Sequence, residues 1–237
     1  MMKYRISVVV PIYNEESNVE KTVLSLINLL SKDCLDYEII IVDSNSTDRS
    51  REISENLVRK HKKVKYIYQP KRLGFGNGLI EGYKNCKLDY VWYMDADFPY
   101  PIEELRKSYP YLDKYDAVIG YKTGKRENWK RKLMSIVYNR LIKFLYHIKY
   151  KDVNYSYKIV RNDVLKKMTL ISDGWFIDAE ILIELKKGNY KVKEIPIPYT
   201  IRKTGDSKIN NYSKVVLGIL KETFGYRRRK SLLGYRI

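Results

Sequence analysis

Tyr90-Val91-Trp92-Tyr93-Met94-Asp95-Ala96-Asp97 is an apolar, aromatic run of strand length that ends abruptly in two carboxylates two residues apart. Successive side chains of a strand point to opposite faces, so Asp95 and Asp97 fall on the same side. Read as a buried strand, the run delivers both acids to one edge of a sheet. Carboxylates this close repel each other unless a proton or a cation lies between them. A hard divalent ion with oxygen ligands, Mg²⁺ or Mn²⁺, suits the pair, and such ions keep waters and bind substrate phosphates. An isolated Asp-x-Asp is more often a solvated turn, so the surrounding motifs decide.

Upstream, Ile6 to Val10 reads as a first buried strand that Pro11 stops. Asn14-Glu15-Glu16-Ser17 then opens a helix to about Leu30, with Asn14 or Ser17 as its cap. Glu38 to Asp43 is a second continuous apolar strand ending in an acid, and Ser44-Asn45-Ser46-Thr47-Asp48 leads into a helix to about Lys60. Val64 to Gln69 is a third strand, and Gly74-Phe75-Gly76-Asn77-Gly78 starts another helix. Strands that alternate with helices and are continuously apolar predict an α/β fold with a parallel sheet covered on both faces. Ligands of such sheets bind beyond the carboxyl ends of the strands. Asn14-Glu15, Asp43, the glycine turn and Asp95/Asp97 all lie at those ends.

Downstream, Ala117 to Gly120 reads as a short strand, Lys122 to Arg126 as a basic loop, and Trp129 to about Tyr146 as a helix with Arg131 in its first turn. A strand within Asp152 to Val160, a short helix at Val164 to Met168, a helix at Ile177 to Lys187 and a strand at Val192 to Ile197 follow. Asp178 and Glu180 read as an acidic pair favoured by the helix dipole. Residues 1–211 form the expected catalytic domain. Residues 212–237 hold an amphipathic helix near Tyr212 to Phe224 and the basic run Arg227-Arg228-Arg229-Lys230. That segment suits an interfacial helix beside anionic headgroups, or a docking helix with a solvated basic tail.

The 237 residues include 46 Lys and Arg against 28 Asp and Glu, a formal charge of +18 that favours polyanionic partners. Nucleic acid, an anionic membrane face and phosphorylated substrates all qualify, but no nucleic-acid module is recognisable. Cys34 and Cys86 lack metal-type spacing and read as reduced and buried, which fits a cytosolic setting. Met1 to Lys3 lead directly into a strand, so no secretory leader is expected. Val215 to Leu220 is far shorter than the roughly 18 to 20 residues of a bilayer crossing.

Taken in order, these motifs resemble the family 2 inverting glycosyltransferases of GT-A fold, and within them the dolichyl-phosphate mannose or glucose synthases. Val9 to Glu16 is similar to the opening Pro-x-Tyr-Asn-Glu segment, Asp43 with Ser46-Thr47-Asp48 to the Val-Asp-Asp-x-Ser-x-Asp motif, and Met94 to Phe98 to the metal motif. Ile195-Pro196-Ile197 with Arg202, Gly205, Ser207 and Lys208 resembles the late Arg-x-x-Gly-x-Ser-Lys segment. The resemblance implies a mostly parallel central sheet with helices on both faces and a C-terminal helical segment. It implies transfer of mannose or glucose from a GDP- or UDP-sugar to dolichyl or polyprenyl phosphate, by a protein held peripherally at the cytosolic membrane face, with no nucleic acid involved.

The resemblance also implies roles. Pro11, Tyr13, Glu15 and Asp43 shape the base and ribose pocket, with Gly74, Asp95 and Ala96 completing the nucleotide-sugar site. Asp95 and Asp97 hold Mg²⁺ or Mn²⁺. Asp97, Arg131, Arg202 and Lys208 are the catalytic candidates, the three cations clamping the acceptor phosphate, with Lys122 a further candidate. An acceptor phosphate is already ionised and needs no base. A glycan or other hydroxyl acceptor, the nearest alternative, needs a carboxylate poised over the sugar, and a basic nucleic-acid-binding protein is the alternative from another class. Ser44 stands where a second Asp is common, Pro99 where a metal-holding Gln is frequent, and Lys122 where an Arg is usual. The first two departures raise the further alternative of a transferase that binds nucleotide without turnover.

Overall fold

The computed structural model describes residues 3–97, 100–124, 129–199 and 212–232. Within them, β1 (Arg5–Ile12), β2 (Asp36–Asp43), β3 (Val64–Tyr68), β4 (Tyr90–Tyr93), β5 (Ala117–Thr123), β6 (Lys158–Arg161) and β7 (Val192–Pro198) form one seven-stranded sheet in the order β3-β2-β1-β4-β6-β5-β7. β6 runs antiparallel to both of its neighbours. Two reversals cancel, so β5 and β7 point the same way as β1 to β4. The carboxyl ends of six strands therefore share one rim.

Both faces are covered, which is why the central strands are continuously apolar rather than alternating. Val8, Val10, Ile39 and Ile41 pack into one cluster with α1 (Val19–Asp33), α2 (Ser50–Lys60) and the 3₁₀ turn at Ile102–Lys107, which runs into α4 (Tyr109–Leu112). Val9, Ile40, Val42 and Val91 face the opposite cluster, built with α3 (Phe75–Lys84), α5 (Trp129–Tyr146), α6 (Asn162–Leu165), α7 (Ile177–Lys187) and α8 (Tyr212–Leu232). Each fully buried Val, Ile or Leu contributes about 1.5–3 kcal/mol. The pairing of α3 with the sheet also needs Gly82, because a Cβ there would drive into the Val9 side chain.

Several local expectations are corrected. β1 continues through Pro11 to Ile12, in register with Val42 and Asp43. Asn14 takes a left-handed φ of 53° and does not cap α1, which starts at Val19 behind Asn18 without a side-chain cap. Its Oδ1 instead accepts the Thr47 N–H at 2.8 Å, and its own N–H donates to Ser46 Oγ, tying the β1 and β2 ends together. The strand expected from Asp152 begins only at Lys158, and the 3₁₀ turn and α4 carry no strong periodic signal.

α8 runs to Leu232, beyond the expected Phe224. Its inner face is not a solvated basic tail. Thr223, Tyr226 and Lys230 are buried, Lys230 lying 3.0 Å from Glu184 and 3.6 Å from Glu180 and donating to the Thr169 carbonyl. Tyr146 of α5 donates to the Thr223 carbonyl at 3.0 Å. Glu222 accepts the N–H of Phe176, just before α7, at 3.0 Å.

Candidate active site

The rim begins with Asp43, wholly buried at the end of β2. Its Oδ1 accepts the Ser46 N–H at 2.8 Å and its Oδ2 accepts the Tyr66 hydroxyl at 2.8 Å. Burial, then the bond and charge of Asp43, push the Tyr66 phenol far above its ordinary value, so Tyr66 stays a donor. Beside it, Ser44 donates to buried Gln69 at 3.1 Å, and both line the space in front of Gly78 together with Pro11. Tyr13 is half-buried with the Arg72 guanidinium 3.9 Å above its ring. Glu15 is half-buried, accepts from Asn18 at 2.8 Å, and has its N–H on Ser50 Oγ. Gln69 and Arg72 are additions to the expected set; the Gln-Pro-Lys-Arg run at the end of β3 was their only sequence signal.

Asp95 and Asp97 leave β4 on this rim, both half-buried. Between them, Ala96 is buried and its carbonyl accepts the Thr22 hydroxyl at 2.7 Å, which pins the turn to α1. Phe98 and Pro99 lie outside the described residues. Below the turn, Tyr93 donates to Asp178 Oδ1 at 2.5 Å, and the Lys158 ammonium donates to the same oxygen at 2.5 Å and to the Tyr155 carbonyl at 2.5 Å. The ion pair is dry, with side chains 2% and 5% exposed. Burial, then the charges of Asp178 and Asp95, hold the Tyr93 phenol far above its ordinary value. Asp178 stands in the first turn of α7, as the sequence suggests, but it is buried there and held by Lys158 and Tyr93. A single Lys inside the apolar strand Tyr157-Lys158-Ile159-Val160 was the sequence signal for its partner.

Glu180 is likewise buried, accepting the N–H groups of Ile171 and Ser172 at 3.0 and 2.8 Å. Burial raises its pKa against the pull of those bonds and of Lys230. These bonds shape the 171–174 loop, against which the glycine turn packs. Gly74 has a φ of +98°, and a Cβ there would run into the Asp173 carbonyl. A Cβ on Gly76 would run into the Ser172 carbonyl, while its N–H donates to Asp173 at 2.8 Å. Both glycines thus have a packing reason in the fold itself.

Lys122 lies at the end of β5 with its ammonium 4.2 Å from the Tyr199 ring centroid. Arg202 and Lys208 lie outside the described residues, and Arg131, in the first turn of α5, has its side chain outside them. Asp95 and Asp97 offer the hard oxygen donors that Mg²⁺ and Mn²⁺ prefer. Among the described residues no group of three or more His, Cys, Asp or Glu side chains converges on a metal-sized site.

The chain resembles known proteins over most of its length. The chain is 36% identical over 216 residues to a dolichol-phosphate mannosyltransferase of Pyrococcus furiosus, covering 86% of this chain and 59% of that protein. It is 28% identical to an undecaprenyl-phosphate 4-deoxy-4-formamido-L-arabinose transferase of Edwardsiella ictaluri, covering 86% and 62%, and 25% identical to glycosyltransferase AglD of Haloferax volcanii, covering 86% and 34%. The chain thus spans less than two thirds of the length of these relatives. Among solved structures, glucosyl-3-phosphoglycerate synthase of Mycobacterium tuberculosis with Mn²⁺, UDP and glucosyl-3-phosphoglycerate superposes with a TM-score of 0.66 at 19% identity, covering 92% of this chain and 79% of that one. That likeness establishes the GT-A-like fold. Residues 7–169 match the family described as Glycosyl transferase family 2, and the chain belongs to that family.

Proposed function

We propose that the protein transfers a hexose from a nucleoside diphosphate sugar to a polyprenyl or dolichyl phosphate, working peripherally at a cytosolic membrane face. The observation that carries the reading is the convergence of Asp43, Asp95 and Asp97 on one rim in a family 2 chain. The names of the Pyrococcus and Edwardsiella relatives support a lipid phosphate acceptor, and the former makes mannose the first sugar to test. No helix among the described residues is long and apolar enough to cross a membrane.

In this reading Tyr13, stiffened by Arg72, and Asp43 with the Ser44–Gln69 pair receive the nucleobase and ribose, Gly74 and Ala96 lending backbone to the pocket. Asp95 and Asp97 hold Mg²⁺ or Mn²⁺, which when bound neutralises charge on the departing diphosphate as a Lewis acid. Arg131, Arg202 and Lys208 clamp the acceptor phosphate. Asp178 supports an ionised acceptor over a hydroxyl one: this carboxylate beneath the Asp95 turn is committed to Lys158 and Tyr93 rather than poised as a base.

Incubating the purified protein with Mn²⁺ or Mg²⁺, labelled GDP- and UDP-sugars and polyprenyl phosphate tests this. Label is expected in the lipid, and is lost in Asp97→Ala and with chelator. Undiminished transfer by Asp97→Ala would sink the metal assignment, and transfer only to a sugar hydroxyl would sink the acceptor.

A further inference from the structure

None of the residues assigned a part in the reaction lies on α8, yet three of its side chains hold the loop at 169–176. Glu222 accepts the Phe176 N–H at 3.0 Å, and its carboxylate fills the space that a Cβ on Gly174 would occupy. Arg229 lies 3.5 Å from Asp173. The buried Lys230 ammonium donates to the Thr169 carbonyl and lies 3.6 Å from Glu180, the carboxylate that receives the Ile171 and Ser172 N–H groups. The loop belongs to no helix or strand, so these carboxylates take the place of ladder partners for its amides. A segment tied in this way opens only when its ties break.

The other side of the loop carries the start of α3. The Gly76 N–H donates to the Asp173 carbonyl at 2.8 Å, and Trp175, 62% exposed, stacks on Phe75 with ring centroids 4.5 Å apart. Two residues farther along, a Cβ on Gly78 would stand 3.3 Å from Ser44 Oγ and 3.9 Å from both Gln69 and Pro11. The first turn of α3 is therefore a wall of the pocket at the end of β2, and it rests on the loop. We propose that α8 positions the donor pocket: Glu222, Arg229 and Lys230 set the 169–176 loop, and the loop sets the first turn of α3 against Ser44 and Gln69. The three are positioning residues, each acting through the loop. The proposal deepens the donor-site reading above and rests on it.

Amide hydrogen exchange and nucleotide titration of the full chain test the proposal, with GDP and UDP as probes in the presence of Mn²⁺. In Glu222→Leu the Gly76 amide is expected to exchange about tenfold faster, and the Kd of the nucleoside diphosphate that native protein binds is expected to rise about tenfold. Glu222→Gln keeps an acceptor for the Phe176 N–H and should restore both, while Lys221→Ser, at an exposed position of α8, should change neither. A cooperative melt shows that each variant folds. A role confined to stability would lower that melt and leave the Kd measured well below it at the native value. In turnover, KM for the nucleotide sugar should rise in Glu222→Leu while kcat stays within about twofold of native. Native Gly76 exchange in folded Glu222→Leu overturns the proposal, as does native nucleotide affinity in that variant when its Gly76 exchange has risen. Faster Gly76 exchange in the variant, but no binding of GDP or UDP by native protein, overturns the donor site assigned above and leaves the coupling of α8 to α3 standing.

Discussion

Replacing Lys158 by Met removes the cation from a pair whose side chains are 2% and 5% exposed. The methionine fills similar space, so the cost is electrostatic rather than steric. Asp178 would keep the Tyr93 hydroxyl as a partner but lose the ammonium at 2.5 Å, becoming an uncompensated buried anion. Breaking one side of such a pair costs about 3–5 kcal/mol. For a chain of this length that corresponds to a melting temperature lower by about 6–20 °C. Neutralising both sides is different: in Lys158→Met/Asp178→Asn the Tyr93 hydroxyl still has an acceptor, and the Tyr155 carbonyl loses its donor at a cost of about 1–3 kcal/mol. The double variant should therefore be more stable than Lys158→Met alone, a non-additivity that urea denaturation of native, single and double variants reads as a coupling energy. Because Tyr93 stands two residues before Asp95, Mn²⁺ affinity should follow the same order. Additive costs, or a Lys158→Met variant within about 1 kcal/mol of native, would refute the argument that the pair's value lies in mutual compensation.

Three further outcomes follow from the structure. Burial opposes ionisation of Glu38, but bonds from Lys65, Ser7 and the Lys87 N–H outweigh it and hold the carboxyl below 4.5. A carboxyl more acidic in the folded state lends stability above its unfolded value and loses it as pH falls through the folded one, so Glu38→Gln should flatten the acid limb of the stability profile below about pH 4.5; an equally steep limb in the variant would exclude Glu38 as its source. Gly76→Ala must displace the Ser172 carbonyl and should cost more than about 2 kcal/mol by thermal melting, whereas Gly124→Ala, with nothing near its Cβ, should cost only the strain of its positive φ, about 1–3 kcal/mol. Asp95→Ala should weaken Mn²⁺ binding, measured by calorimetry in the presence of nucleoside diphosphate; an unaltered affinity would remove Asp95 from the ion.

The sequence by itself determined the sheet and its rim. Continuous apolar runs such as Ile39 to Val42 can be satisfied only between two covered faces, and the polar residues that end them must then gather where the strands end. Asp43, Asp95 and Asp97 were legible for that reason: each terminates a run whose period is short and local. What only the tertiary structure decided were the partnerships made across the chain. Asp178 and Glu180 look alike at the start of a helix, yet one is bound to Lys158 and Tyr93 and the other to the 171–172 amides and Lys230. Gln69 and Arg72 joined the Asp43 side of the rim because β3 pairs with β2, and Lys230 left a run of four cations for the interior because α8 lies on α7. A pattern of neighbours in sequence dictates which residues seek the interior, but which charge meets which depends on contacts between segments far apart in the chain.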